Sequence, residues 1–150
     1  MILGEALDPS VATKLLGMRP NQQWRRGDQK SFKRKDGSLR IFDSKHEWGG
    51  WKKWSSAAER KKEFPALLEH WCRKLTPKKK ALARLRTSGG ELFLDCCLVG
   101  DSCDFTLPPH LLTKLAGLGV SLRVSFYHHE EEPNQPPEPT SGLRPAVAHL

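Results

Sequence analysis

Cysteine and histidine are the residues of this chain that could supply a nucleophile and a base. Cys96 or Cys103 could meet His46 or His110, because distance along the chain does not prevent contact in a fold. No nucleophile elbow or glycine-rich oxyanion turn accompanies them, and a cysteine inside a strand usually serves as a small core residue. We therefore expect core thiols, no catalytic residues and no enzymatic activity.

A zinc site is the second chemistry that the residue types allow. The potential ligands are Cys96, Cys97, Cys103, His128 and His129. Neighbouring residues of a strand point to opposite faces, so at most half of these side chains could converge. The pairs Gly49-Gly50 and Gly89-Gly90 are too short for a phosphate-binding loop, and we interpret them as a hairpin bend and a helix terminator. The sequence thus predicts neither a metal nor another cofactor.

Basic and aromatic side chains are interleaved between residues 24 and 54, where four of the five tryptophans lie. Trp and Arg are enriched at binding hot spots, because they combine a large contact area with directed hydrogen bonds. On a sheet, the same residue types could instead stack bases and pair with phosphates. The predicted partner-binding residues are Trp24, Arg25, Arg26, Lys33, Arg34, Lys35, Trp48, Lys52, Lys53 and Trp54.

The tryptophans of this region do not all have the same expected role. Trp24 and Trp51 are each explained as well by a place in the core as by a place in an interface. Trp48 and Trp54 lie three residues on either side of Trp51, so a regular strand would turn both to the opposite face. At least one tryptophan is therefore expected to be exposed, unless the glycine pair resets the register.

The composition fits one domain with a modest core, since 37% of the 150 residues are hydrophobic and 28% are charged. The net charge is +8, and 21 Lys and Arg against 7 Asp and Glu between Arg19 and Arg86 concentrate +14 in the middle of the chain. Such a field attracts phosphate backbones, anionic lipids or an acidic protein surface. No apolar run reaches the roughly 20 residues of a membrane helix, and no export leader is recognisable. We expect a cytoplasmic protein with reduced thiols that does not enter the membrane.

Start and stop signals define the elements that must position these residues. Asp8 as N-cap and Pro9 as first helical residue open a short helix, which Gly17 ends. Short extended runs from Gln22 to Ser56 predict sheet, and Asp36-Gly37 predicts a hairpin with a type I′ turn.

The second half of the chain is predicted to be helical first and to close with a strand, a helix and a strand. Helices are expected within residues 57–75 and before Gly89-Gly90, and strands over Glu91–Val99 and Val120–Tyr127 flank a further helix. The expected fold is a single α+β domain over residues 1–129, with a mostly antiparallel sheet packed against three or four helices. Residues 130–150 are rich in Pro and Glu and are expected to form a disordered acidic tail that folding does not need.

The order of several sequence blocks resembles a bacterial family called domain of unknown function 4279. The blocks are Leu7-Asp8-Pro9, Leu15 to Pro20, Arg26-Gly27-Asp28, Gly50-Trp51, Leu92 to Cys96 and Leu115 to Tyr127, together covering about residues 2–128. The first strand of the family pattern is longer, so the resemblance implies a shortened sheet edge here. The resemblance implies no established activity or catalytic residue. Some members of the family are encoded beside toxin genes, so the resemblance also implies a role as an immunity protein.

Three hypotheses about function remain open from the sequence. The first is a stoichiometric protein-binding domain, an immunity protein or antitoxin that neutralises a cognate toxin through an acidic surface of that toxin. The second is a basic nucleic-acid-binding module, which is supported by charge alone because no RNP or helix-turn-helix pattern is present. The third is an enzyme with an unrecognised site, for which there is no positive signal.

Overall fold

The computed structural model describes residues 1–34, 36–99 and 104–127, and the backbone of residues 147–149. The helices and strands in these ranges are β1 (Ile2–Gly4), α1 (Pro9–Leu16), β2 (Gln22–Trp24), β3 (Gln29–Lys33), β4 (Leu39–Lys45), β5 (Gly49–Lys52), α2 (Phe64–Leu75), α3 (Lys79–Thr87), β6 (Glu91–Val99), α4 (Pro109–Leu118), β7 (Ser121–Tyr127) and β8 (Val147–His149), with 3₁₀ turns over Glu59–Lys61 and Thr76–Lys78. The predicted site residue Lys35 and the candidate ligands Cys103, His128 and His129 lie outside the described residues.

The strands form two separate sheets. The main sheet has the order β2-β5-β1-β6-β7, and β8 also pairs with β6. The pair β6–β7 is parallel, because α4 crosses over between the two strands, whereas the other pairs are antiparallel. The strands β3 and β4 pair only with each other in a two-stranded antiparallel sheet. The predicted α+β class with a mostly antiparallel sheet is confirmed.

The first helix shows how local signals set an element's limits. Asp8 accepts a hydrogen bond from the Ser10 amide at 2.9 Å, and Pro9 occupies the first turn. Gly17 has φ 60°, a left-handed conformation that glycine adopts without a steric penalty, and it ends the helix. These three predictions are confirmed.

In the part of the chain that is described, no helix has both the length and the hydropathy needed to cross a membrane.

Two buried indoles tie the core to the chain around it. Trp51 on β5 and Trp71 on α2 are fully buried. The Trp51 Nε1 donates to Thr13 Oγ1 at 3.0 Å, and the Trp71 Nε1 donates to Ser55 Oγ at 2.9 Å. Each large ring therefore fills the core without leaving a buried donor unpaired, which would cost about 1–3 kcal/mol. Of the two interpretations left open for Trp51, the structure supports a place in the core.

The core side of β6 carries the alternation that its sequence only weakly showed. Leu92, Leu94, Cys96 and Leu98 are buried, while the residues between them are half-buried. The helix α3 contacts β6, and α4 contacts β7, so the helices cover this face of the sheet. Cys96 is thus one of the core thiols that the sequence predicts.

The turn between β3 and β4 differs from the type I′ prediction. Arg34 N donates to Ser38 O at 2.8 Å, and Gly37 N donates to Arg34 O at 3.0 Å, so three residues lie between the last paired positions. Gly37 has φ 87°, and no other residue than glycine has a positive φ in the described ranges. A type I′ turn would need two positive φ values, whereas a three-residue loop needs one. The hairpin prediction is confirmed, and the predicted turn type is wrong.

The strand β8 changes the expectation for the C-terminal segment. Residues 95–97 of β6 pair with residues 147–149. Since β7 occupies one edge of β6 over residues 93–99, β8 lies on the other edge, beyond the short strand β1. The first strand covers only the beginning of that edge, so the remaining backbone groups of β6 need another partner. The expected disordered tail, residues 130–150, lies outside the described residues except at residues 147–149, whose backbone forms a strand.

We predict that Trp51→Ala lowers the free energy of unfolding by about 3–5 kcal/mol, because it removes a fully buried ring. The matched change Trp48→Ala, at a ring that is 44% exposed, is expected to cost about 1 kcal/mol or less. Urea denaturation followed by circular dichroism measures both. Equal losses in the two variants would contradict this placement of the rings.

We also predict that removal of residues 147–150 destabilises the domain by about 1 kcal/mol and lowers its Tm by about 3 °C. The physical reason is that the β6 backbone groups at residues 95–97 lose their partners. Amide hydrogen exchange should accelerate at these residues and stay unchanged in α2. Unchanged protection at residues 95–97 would show that β8 does not pair in solution.

Candidate functional site

The root of the β3–β4 hairpin is built on a tryptophan that lies against a glycine. A Cβ atom at Gly50 would overlap the indole ring of Trp24, so only glycine lets the ring cover this strand. The imidazole of His46 stacks on the same indole with ring centroids 4.7 Å apart. Gly49 and Gly50 are therefore residues of β5, and their interpretation as a hairpin bend is wrong.

Three hydrogen bonds at the root join the chain segment that enters the hairpin to the segment that leaves it. Trp24 Nε1 donates to Trp48 O at 3.0 Å. Gly27 N donates to His46 O, and His46 N donates to Asp28 O, each at 2.8 Å. Burial and the nearby charge of Lys30 lower the pKa of His46 below its ordinary value, so its ring stacks on Trp24 as neutral imidazole at pH 7. Trp24 is half-buried and acts mainly as the structural support of the hairpin.

Apolar side chains on the hairpin arms are exposed. The exposed fraction is 60% for Phe32 and Leu39, 59% for Ile41 and 37% for Phe42. Exposed apolar side chains that lie together on one element mark a candidate contact surface. We call these four residues, Phe32, Leu39, Ile41 and Phe42, the hairpin patch. None of the four is among the residues that the sequence predicts to bind a partner.

The register places the hairpin patch on both faces of the two-stranded sheet. Phe32 lies opposite Arg40, so Phe32 and Phe42 share one face, and the Arg40 guanidinium lies 5.0 Å from the Phe42 ring centroid. Lys33 lies opposite Leu39, which shares the other face with Ile41. Both faces of the hairpin therefore offer apolar side chains for contact with a partner.

The basic residues at this end of the molecule differ in how free their charges are. Arg25 and Arg26 form ion pairs with Asp8 and Glu5, which lie beside β1 and α1. Lys33 and Arg34, at the far end of the arms, form no ion pair with any residue that the structure describes. The charges available for steering a partner therefore lie at the hairpin tip.

The structure separates the predicted partner-binding residues into two groups. Trp24, Arg25, Arg26, Trp48 and the hairpin lie at one end of the β2–β5 pair. Lys52, Lys53 and Trp54 lie at the other end, where Asn21 N donates to Lys52 O at 2.8 Å and Trp54 N donates to Asn21 Oδ1 at 3.0 Å. Asn21 and Arg25 are four extended residues apart, or about 13 Å. The predicted partner-binding residues that the structure describes thus lie on two surfaces.

Trp48 and Trp54 belong to different surfaces, although both are exposed. Trp48 is 44% exposed beside the hairpin root, and Trp54 is 42% exposed at the opposite end. The prediction that at least one tryptophan is exposed is confirmed.

A charged network lies behind Trp54. Glu59 Oε1 accepts hydrogen bonds at 2.7 Å from Lys74 Nζ and lies 2.7 Å from His70 Nε2, and Glu59 Oε2 accepts one from Ser56 N at 2.6 Å. Burial opposes ionisation of this carboxyl, which is 15% exposed, but the hydrogen bonds from Lys74, Ser56 and His70 outweigh burial and lower its pKa to about 2. Glu59 is therefore a fixed negative charge that holds the 3₁₀ turn to α2.

Of the candidate nucleophiles and metal ligands, the structure describes Cys96, Cys97 and the histidines His46 and His110, while Cys103, His128 and His129 lie outside the described residues. Burial raises the pKa of the Cys96 thiol to about 12, whereas a nucleophilic cysteine needs a lowered pKa. His46 is engaged with Trp24 at the hairpin root. Among the residues described, no three His, Cys, Asp or Glu side chains gather in a group that could hold a metal ion.

Some residues of the two surfaces are absent from the sequence-based prediction. A sequence signal exists for those on the hairpin but not for those around the cleft. Leu39, Ile41 and Phe42 break the alternation of polar and apolar residues that a strand with one buried face shows, which indicates apolar side chains on both faces. Arg60 and Lys74, which join Lys53 and Trp54 around a cleft, come from a turn and a helix far along the chain. No local pattern identifies such residues.

We predict that Glu59→Gln destabilises the domain by about 2–3 kcal/mol at pH 7. The folded-state pKa is depressed, so ionised Glu59 contributes its full stability above the unfolded pKa of about 4.5 and loses that contribution as the pH falls toward about 2. Urea denaturation between pH 7 and pH 2.5 should show the difference from wild type shrinking in this window. A difference that is independent of pH would contradict the assigned hydrogen bonds.

The comparisons with known proteins identify a family and nothing narrower. The chain matches no curated protein and no solved structure. The family described as domain of unknown function (DUF4279) matches residues 1–129, which contain all the described helices and strands except β8, and both candidate surfaces. The chain therefore belongs to the DUF4279 family.

Proposed function

We propose that this protein is a non-catalytic cytoplasmic binding protein that inserts its β3–β4 hairpin into an acidic site of a partner protein. The observation that carries this proposal is the hairpin patch, four exposed apolar side chains on a hairpin outside the core. An isolated two-stranded hairpin is only marginally stable in water, and packing against another surface stabilises it.

The chemistry of the hairpin favours an acidic protein surface as the partner. Lys33 and Arg34 lie at its tip without a carboxylate partner in the described chain, and Lys30, Arg40 and Lys45 add positive charge along the arms. Apolar side chains provide buried area, and the surrounding cations select an oppositely charged rim. A groove with an apolar floor and acidic edges satisfies both requirements.

The partner that we propose is a cognate toxin, which the protein neutralises as an immunity protein or antitoxin. A stoichiometric inhibitor must meet its target quickly and release it slowly. Charge complementarity raises the association rate, while buried aromatic and aliphatic anchors lower the dissociation rate. The hairpin combines both kinds of residue, and its role needs no catalytic group.

We predict that the double change Phe32→Ser and Ile41→Ser, one residue on each face of the hairpin, weakens partner binding by at least 100-fold. Each anchor is expected to contribute about 2 kcal/mol, or about 30-fold in Kd. The control is Leu112→Ser, because Leu112 on α4 is also an exposed apolar residue, at 49%, but lies outside the hairpin.

The experiment compares the proteins that wild type, the double variant and the control retain from a lysate of the native cell. A candidate partner is then purified, titrated by calorimetry and tested for toxicity that co-expression of the wild type suppresses. Charge reversal at Lys33 and Arg34 should slow association and flatten its salt dependence, with little change in dissociation. A partner that binds the double variant as tightly as wild type would refute the hairpin proposal. Retention of only nucleic acid at physiological salt would favour the basic nucleic-acid-binding alternative.

A further inference from the structure

A second surface lies at the end of β5 that is far from the hairpin. It is an open cleft of about 400 Å³ between the β2–β5 pair, the 3₁₀ turn and α2. The residues that line it include three cationic side chains, one carboxylate and an exposed indole, namely Lys53, Arg60, Lys74, Glu59 and Trp54. A concave site with a few convergent polar groups and an aromatic wall is the usual form of a small binding site.

The charges in this cleft are not balanced by the chain itself. Glu59 is occupied by Lys74, His70 and the Ser56 amide, and Lys74 also lies 4.7 Å from the ring centroid of Trp71. Lys53 and Arg60 are half-buried, and neither forms an ion pair within the described ranges. A partly desolvated cation without a counter-charge is costly, and a bound anion removes part of that cost.

We propose that this cleft binds a carboxylate, held by Lys53 and Arg60, whose carbon stem lies against Trp54. The guanidinium of Arg60 offers a planar pair of donors that matches a carboxylate. The indole provides an apolar surface for the carbons that carry the acid. The ligand is the side chain of a Glu or Asp on a protein surface or a small carboxylic acid, since both present the same group.

A carboxylate fits the charges of the cleft better than a phosphate does. Two cations remain after Lys74 is paired with Glu59, and the Glu59 carboxylate stays ionised beside them. Ionised Glu59 repels a phosphate with a charge of nearly −2 more strongly than a carboxylate with a charge of −1. Inorganic phosphate also lacks the carbon stem that the Trp54 indole could cover.

The test uses defined probes, so that no knowledge of the biological partner is needed. Wild-type protein is titrated with the blocked tripeptide Ac-Leu-Glu-Leu-amide, its Gln counterpart, benzoate and inorganic phosphate, while the indole N–H signal of Trp54 is followed by NMR. The Glu peptide or benzoate is expected to shift this signal with a Kd on the order of 1 mM. Tighter binding of the peptide assigns the cleft to an acidic protein side chain, and tighter binding of benzoate assigns it to a small acid.

Single variants identify the residues that hold the anion. Lys53→Gln and Arg60→Gln should each weaken the carboxylate at least tenfold, whereas Lys61→Gln, the same loss of charge beside Arg60 but outside the cleft, should change binding less than twofold. The hairpin variant Phe32→Ser and Ile41→Ser should bind the probes like wild type, so failure of the hairpin proposal and failure of this one are distinguishable. Equal binding of the Gln peptide, tighter binding of phosphate, or unchanged binding by Arg60→Gln would each overturn the proposal.

Discussion

The missing side chains of Gly49 and Gly50 are the constraint on which both the sheet and the hairpin depend. A Cβ at Gly49 would overlap the Leu7 carbonyl, and one at Gly50 would overlap the Trp24 ring. β5 can therefore pair with β1 on one side and lie under Trp24 on the other. Because the Trp24 indole also stacks on His46 and donates to the Trp48 carbonyl, the two glycines fix how the hairpin leaves the main sheet.

This arrangement separates stability from binding. The free energy of folding comes mainly from the core around Trp51 and Trp71, whose indole N–H groups are satisfied by hydroxyls. The β3–β4 hairpin consists almost entirely of exposed side chains and adds little buried surface. Substitutions on the arms are therefore expected to have little effect on the core, because regions with few buried contacts unfold locally without the rest.

The sequence predicted well what neighbouring residues determine and poorly what distant contacts determine. Asp8, Pro9 and Gly17 define α1 through interactions within a few residues, so their roles could be read directly. Gly50 was misassigned as a bend because its role depends on Trp24, 26 positions earlier. The composition predicts a disordered tail, and of this tail the structure describes residues 147–149, which pair as β8 with the part of the β6 edge that β1 leaves open. The meeting of Lys53 with Arg60 likewise follows from the path of the chain between β5 and α2, which no periodicity encodes.

The two proposed surfaces are connected by the rigid β2–β5 pair, and this connection has an energetic consequence. The ends of β2 are held by the Trp24 stack at one side and by the hydrogen bond from Trp54 N to Asn21 Oδ1 at the other. A partner that engages the hairpin therefore brings an acidic residue to the cleft at a high effective concentration, without the entropy cost of ordering a linker, if that residue lies at the distance that separates the hairpin patch from the cleft. A carboxylate that binds weakly alone can then add substantially to the affinity of the whole complex. Because the cleft rejects partners that place no acid at this distance, it would act on specificity more than on total affinity.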